Sequence, residues 1–153
     1  MRPLLGEWVF GCDRCQEVCP WNRDAPPGRR PAPAAGDDRR RLSLVELLQL
    51  PDPELRRRIR GSALRRAKPD GLRRNAAVAL GNRGSQAATG VLAEALGHPS
   101  PVVRQHAAWA LGRIGGAASQ RALQSAIGSE ADPEVRAEIA AALGGATPSF
   151  DTL

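Results

Sequence analysis

Tyrosine is absent from this 153-residue chain, and the other large aromatics amount to two phenylalanines (Phe10 and Phe150) and three tryptophans. β-Branched residues are scarce as well, whereas Ala, Leu and Arg abound. Strands draw on β-branched and aromatic side chains, while Ala, Leu and Arg lose little freedom in a helix. The composition therefore argues against a sheet protein and for an all-α fold. No apolar run comes near the ~18 residues of a membrane-spanning helix. A secretory leader is not expected either, because the first 20 residues lack an unbroken apolar core and already contain Cys, Asp and Glu. The expectation is a soluble, cytoplasmic chain with no membrane partner.

Cysteine is confined to one place. Cys12, Cys15 and Cys19 stand within eight positions and have the spacing C-x2-C-x3-C-P, with Pro20 last. An odd number so closely set is a poor disulfide framework and a better metal or cluster site. The spacing equals the last three cysteines of the ferredoxin-type run C-x2-C-x2-C-x3-C-P, which holds 4Fe–4S clusters. Structural zinc is an alternative, but it needs a fourth ligand, and His98 and His106 lie far along the chain. Thiols without a ligand are the remaining reading. Four thiolates are needed per cubane and three are present, so no set is complete. The chain thus reads as truncated, or as working with a partner that supplies the rest, and Met1 before Arg2 and Pro3 suits an internal start.

Positive charge is also localised. The net charge is +6, yet residues 23–74 hold fifteen basic side chains against seven acidic ones, an excess of +8. Such a concentrated excess suits a polyanion such as nucleic acid. A well-solvated arginine-rich helix surface is the other reading.

Four stretches can be separated. Residues 1–22 form the cysteine segment, and residues 23–41 are a linker rich in Pro and Arg. Helical patterning covers residues 42–147, and 148–153 are a tail. Ser43 with Glu46 makes a capping box at the first helix, which Pro51 ends. Asp52 and Pro53 then read as N-cap and first-turn proline of a second helix over 54–66, with Leu55, Ile59, Ala63 and Leu64 on its apolar side.

Beyond Asp70 the chain repeats. LRRNAAVALG (72–81), VRQHAAWALG (103–112) and VRAEIAAALG (135–144) are offset by 31 and 32 residues. Arg73, Arg104 and Arg136 align, as do Leu80, Leu111 and Leu143, each followed by Gly. Between them Leu92 matches Leu123, and Leu96 matches Ile127, marking a second helix per unit. A period near 30 with two helices means stacked helical hairpins, a short α-solenoid. The alanines should let helices approach closely, and the Gly after each Leu should end its helix. The aligned arginines should pair with carboxylates or carbonyls of a neighbouring unit. The pattern is similar to HEAT-like repeats, which specifies a fold and says little about chemistry.

A narrower resemblance comes from two strings in order. RPLLGEWVFGCDRCQEVCPWNR (2–23) resembles the second cluster segment of epoxyqueuosine reductases, and RGSALRRAKPDGLRRNAAVALGN (60–82) looks like that family's entry into its HEAT-like repeats. The resemblance implies cytosolic enzymes that reduce epoxyqueuosine to queuosine in tRNA with cobalamin and two 4Fe–4S clusters. It implies that Cys12 and Cys15 ligate one cluster with cysteines not present here, and that Cys19 completes the other. The cobalamin domain and the proton-donating acid would lie upstream, so no residue here is assigned a catalytic role. What remains is a tRNA-facing part directed at the anticodon region. Its candidate contacts are Arg65, Arg66, Lys68, Arg73 and Arg74, with Asn75 and His106 at equivalent, outward-facing repeat positions. Trp109 is expected to pack, and Trp21 to shield a cluster from water. Residues 1–22 are expected to have no fixed structure without the clusters. The competing function is a HEAT-like adaptor that docks an acidic protein partner without catalysis; a ferredoxin appended to a scaffold is a third.

Overall fold

A computed structural model describes residues 2–24 and 42–145; most of the 23–41 linker and the whole 148–153 tail lie outside the described residues. All regular structure among these residues is helical. A 3-10 turn (Arg2–Leu5) and two single-turn helices, α1 (Arg14–Glu17) and α2 (Pro20–Arg23), make up the cysteine segment. There follow α3 (Leu44–Gln49), α4 (Asp52–Arg58), α5 (Lys68–Arg83), α6 (Thr89–Ala95), α7 (Pro101–Ile114), α8 (Gly116–Ile127) and α9 (Pro133–Leu143).

The capping box forms as its residues dictate. Ser43 Oγ accepts from the Glu46 amide at 3.1 Å, and Glu46 Oε2 accepts from the Ser43 amide at 2.7 Å. Leu50 is extended at ψ 134°, the conformation forced on a residue before proline, and α3 stops. The next helix is shorter than 54–66. Gly61 takes φ +74°, which breaks the α-helical run, and a 3-10 turn (Ala63–Ala67) replaces its second half. Asp52 is not the N-cap either. Pro51 holds that position, and the Asp52 carboxylate turns to Arg73 and Arg56 instead.

The repeats stack in two layers. Helices α5, α7 and α9 pack side by side in one layer, and α3, α6 and α8 line up behind them. Leu72, Leu92, Leu111, Leu123, Val103, Val135 and Ile139 are sealed between the layers, each about 1.5–3 kcal/mol of burial. These are the positions the repeat alignment equates, because each unit presents the same stripe to its neighbour.

Two of the three repeat glycines do something other than end a helix. Helix α5 runs on past Gly81 to Arg83, and α7 past Gly112 to Ile114; Gly84 and Gly115 are the real C-caps. Gly81 and Gly112 sit where adjacent helices touch. A Cβ on Gly81 would stand 2.9 Å from Ala110 Cα and Cβ, and one on Gly112 2.7 Å from Ala142 Cβ. Their missing side chain sets the spacing of the layer. Gly144 alone caps its helix as expected.

Candidate functional site

The exposed face of the α5–α7–α9 layer is occupied by the lead-in to the cysteine segment. Equivalent positions of the three units, Asn75, His106 and Glu138, form a polar column along it. Asn75 Nδ2 donates to Val9 O at 2.6 Å, and Glu138 accepts both ends of the Arg2 guanidinium at 2.7 and 2.9 Å. Arg2 also lies over the Trp109 ring, 5.5 Å from its centroid. On α5, Asn82 Nδ2 donates to Arg2 O at 3.0 Å and Gly6 O at 2.7 Å, and Arg83 pairs with Glu7. The arginine beside Glu7 holds its carboxyl below the usual range. Residues 2–10 are thus tied to all three repeat units. Trp109 packs as expected and is 6% exposed.

This geometry corrects two RNA candidates. Asn75 grips the chain's own backbone rather than facing outward. His106 is part-buried: its Nδ1 lies 2.8 Å from Val102 O, which can only accept, so Nδ1 carries the proton. Burial pushes its pKa down to about 4, with Arg2 and Arg74 adding repulsion against the Val102 bond and Glu138. It is neutral at pH 7 and offers phosphate no charge.

Arg73 is corrected too. It is 3% exposed; Nη1 lies 2.5 Å from Asp52 Oδ1, and Nη2 donates to Leu50 O at 2.8 Å. Arg104 repeats the device, with Nε and Nη2 each 2.8 Å from Glu130 and Nη1 3.0 Å from His98 O and Pro99 O. Arg136 reaches Glu130 O. The aligned arginines therefore stitch the repeats together, Arg73 and Arg136 to the turn before their helix and Arg104 to the turns before and after it, as their alignment implied.

Four candidates remain at the surface: Arg65, Arg66, Lys68 and Arg74. Arg74 Nε is spent on Asn75 Oδ1 at 2.9 Å. Arg65 and Lys68 line one open cleft of about 520 Å³ with Arg56, Arg60, Ile59 and Pro69. Sequence reasoning missed Arg56 and Arg60 because the long helix assumed over 54–66 spreads these side chains around its faces. The bend at Gly61 brings them together.

Cys12 and Cys15 are exposed and Cys19 half-buried, all three as free thiols. Cys15 lies on α1; Cys19 is the N-cap of α2, with Pro20 at N1, and its amide donates to Gln16 O at 3.3 Å. Thiol chemistry suits an iron–sulfur cluster; the number does not complete one. Among the described residues no three of His, Cys, Asp and Glu converge on a metal-sized site. Trp21 does not shield the segment within this chain, for it is 90% exposed, and Val18 is 76% exposed.

Residues 59–144 match the family description for HEAT repeats. The chain belongs to the HEAT-repeat family. It is also similar to epoxyqueuosine reductases: 46% identical over 124 residues to that of Pseudomonas aeruginosa, covering 75% of this chain and 32% of the relative. Similarity to the Bacillus subtilis enzyme is 34% over 142 residues, 90% of this chain and 36% of the relative. The chain spans about a third of the length of these relatives. Solved structures agree. An epoxyqueuosine reductase crystallised with a tRNA-Tyr epoxyqueuosine-modified stem loop superposes with a TM-score of 0.83 at 30% identity, covering 94% of this chain and 39% of that one. The Streptococcus thermophilus enzyme gives 0.76 at 25%, covering 94% and 38%. The fold is that of HEAT-like helical hairpins, as the periodicity implied, and no helix among the described residues is long and apolar enough to cross a membrane.

Proposed function

We propose that this chain is the C-terminal part of a cytoplasmic enzyme that reduces epoxyqueuosine to queuosine in tRNA. The observation that carries this reading is the extent of the match: one solved epoxyqueuosine reductase, crystallised with a modified tRNA stem loop, is superposable over 94% of the chain, cysteine segment and repeats together. Residues 1–22 are its partial cluster segment, 23–41 its linker, 42–147 its tRNA-binding repeat domain and 148–153 its tail.

In this reading Cys12 and Cys15 hold one 4Fe–4S cluster with thiolates from outside the chain, and Cys19 contributes to the other. When bound, such clusters supply single electrons; cobalamin is held upstream. The chain's own residues position and bind. The Asn82, Arg83 and Glu138 contacts fix where the cysteine segment sits on the repeats, and the surface arginines give sequence-independent affinity for the anticodon region through phosphates.

The test is binding of the full chain to a tRNA anticodon stem loop as NaCl is raised. The expected result is affinity that falls linearly on a log–log plot, by ~0.7–0.9 per phosphate contact released. Salt-independent or absent binding would remove tRNA from the reading and favour the HEAT-like adaptor.

A further inference from the structure

We propose that the cleft between α4 and the start of α5 is a seat for an RNA backbone phosphate, with Arg56, Arg65 and Lys68 as its ligands. This rests on the tRNA-binding reading and places it at one site. The cleft holds about 520 Å³, within the ~300–1,000 Å³ usual for ligand clefts. Four cations line it, Arg56, Arg60, Arg65 and Lys68, and no carboxylate does. Its apolar lining is Ile59, 2% exposed, and buried Pro69. Apolar residues and four cations lining one cleft suit a phosphodiester, which presents charged oxygens to the cations and a ribose edge to the apolar residues.

Three further observations favour a ligand over a solvated surface. Arg56 has an i,i+4 partner in Asp52, but the two side chains are 64% and 46% exposed, and such a pair holds its members weakly. The sixteen-residue α5 begins at the cleft, so its dipole adds positive potential there, although the Lys68 amide is taken by Arg65 O and Pro69 has none. Lys68 also adopts φ +58° and ψ 162°, the sole positive φ at a non-glycine position among the described residues. Side chains avoid that region, and residues held in it gather at ligand sites. Pro69 accounts for the extended ψ, since the residue before proline is pushed there. It does not account for the sign of φ, nor for a lysine where glycine fits. The lysine that occupies this position lines the cleft.

The experiment measures anisotropy of a labelled tRNA anticodon stem loop with the full chain over a series of NaCl concentrations. Two double variants of equal charge are compared: Arg65→Gln with Lys68→Gln, and Arg113→Gln with Arg121→Gln, which are exposed elsewhere. All four side chains are on the surface, so circular dichroism should report unchanged helicity. The cleft variant is expected to flatten the log–log salt slope by roughly 1.4–1.8, two contacts' worth, and the control to leave it unchanged. Equal flattening by both, or by neither, overturns the cleft while leaving tRNA binding intact. No binding by the unaltered chain overturns both readings. Displacement of the RNA by polyglutamate at equal charge concentration would assign the cleft to an acidic protein segment and overturn the proposal. Lys68→Gly supplies an independent arm. A raised melting temperature with weakened RNA binding is expected, and a raised melting temperature with unchanged binding removes Lys68 from the site.

Discussion

Gly112 in α7 faces Ala142 in α9 so closely that a Cβ added to it would lie 2.7 Å from the Ala142 Cβ and 3.0 Å from its Cα. Backbone, not a yielding side chain, stands in the way. Gly112→Ala should therefore force the two repeats apart. Overpacking costs about 1–3 kcal/mol and the better helix former returns about 0.5–1, so a net loss of about 1–2 kcal/mol is expected in urea denaturation. Gly90→Ala, in α6 with nothing near its Cβ, should instead be neutral or stabilise by under about 1 kcal/mol. Equal effects at the two sites would show that the layer spacing is not set by Gly112.

Arg104 and Glu130 make a bidentate pair with side chains 17% and 7% exposed. Arg104→Leu leaves Glu130 without its cation and the His98 and Pro99 carbonyls without their donor. A cost of about 3 kcal/mol is expected by chemical denaturation, since breaking one side of a buried pair strands the other. Replacing both members, Arg104→Leu with Glu130→Leu, should cost less than the single change. A double variant as unstable as the sum of the singles would contradict this account.

Asn82 holds two carbonyls of the lead-in segment, at Arg2 and Gly6. Asn82→Ala should loosen residues 2–10 by about 1–2 kcal/mol, one to two hydrogen bonds. The repeats should keep their own melting temperature. Hydrogen exchange reads the two separately: faster exchange confined to amides near residues 2–10 is expected, and uniform acceleration across α5, α7 and α9 would refute the latch.

His106 makes stability depend on pH. Its pKa falls from the ordinary 6.5 to about 4 on folding, through burial first and the nearby Arg2 and Arg74 second, against the Val102 carbonyl and Glu138. The unfolded chain thus binds a proton here before the folded one, and stability is lost as pH drops from about 6.5 toward about 4. Carboxylates held low by partners, such as Glu130 and Asp52, lose their contribution only below their ordinary values. His106→Gln should flatten the dependence of melting temperature between pH 6.5 and 5. An unchanged slope would mean that His106 titrates normally.

Much of this was legible in the sequence. The offsets of 31 and 32 residues determined the solenoid, because a repeat that buries the same stripe in each unit can only stack. The alignment of Arg73, Arg104 and Arg136 determined their structural pairing, and Ser43 with Glu46 determined a helix start, since capping is a local interaction. Asn75, His106 and Glu138 were also equivalent on paper, and their shared polarity was a signal. What that column binds was not readable, because its partner, residues 2–10, lies more than 60 positions away and has no repeat of its own. The repeat glycines misled for a related reason. A glycine near a helix end reads as a cap, and only a neighbouring backbone within 3 Å reveals that it is a contact. The basic cleft, finally, depends on one bend at Gly61, which places Arg56 and Arg60 beside Arg65 and Lys68. Composition determined that the charge would be concentrated there; only the turn of the chain in three dimensions decided which of those charges face one another.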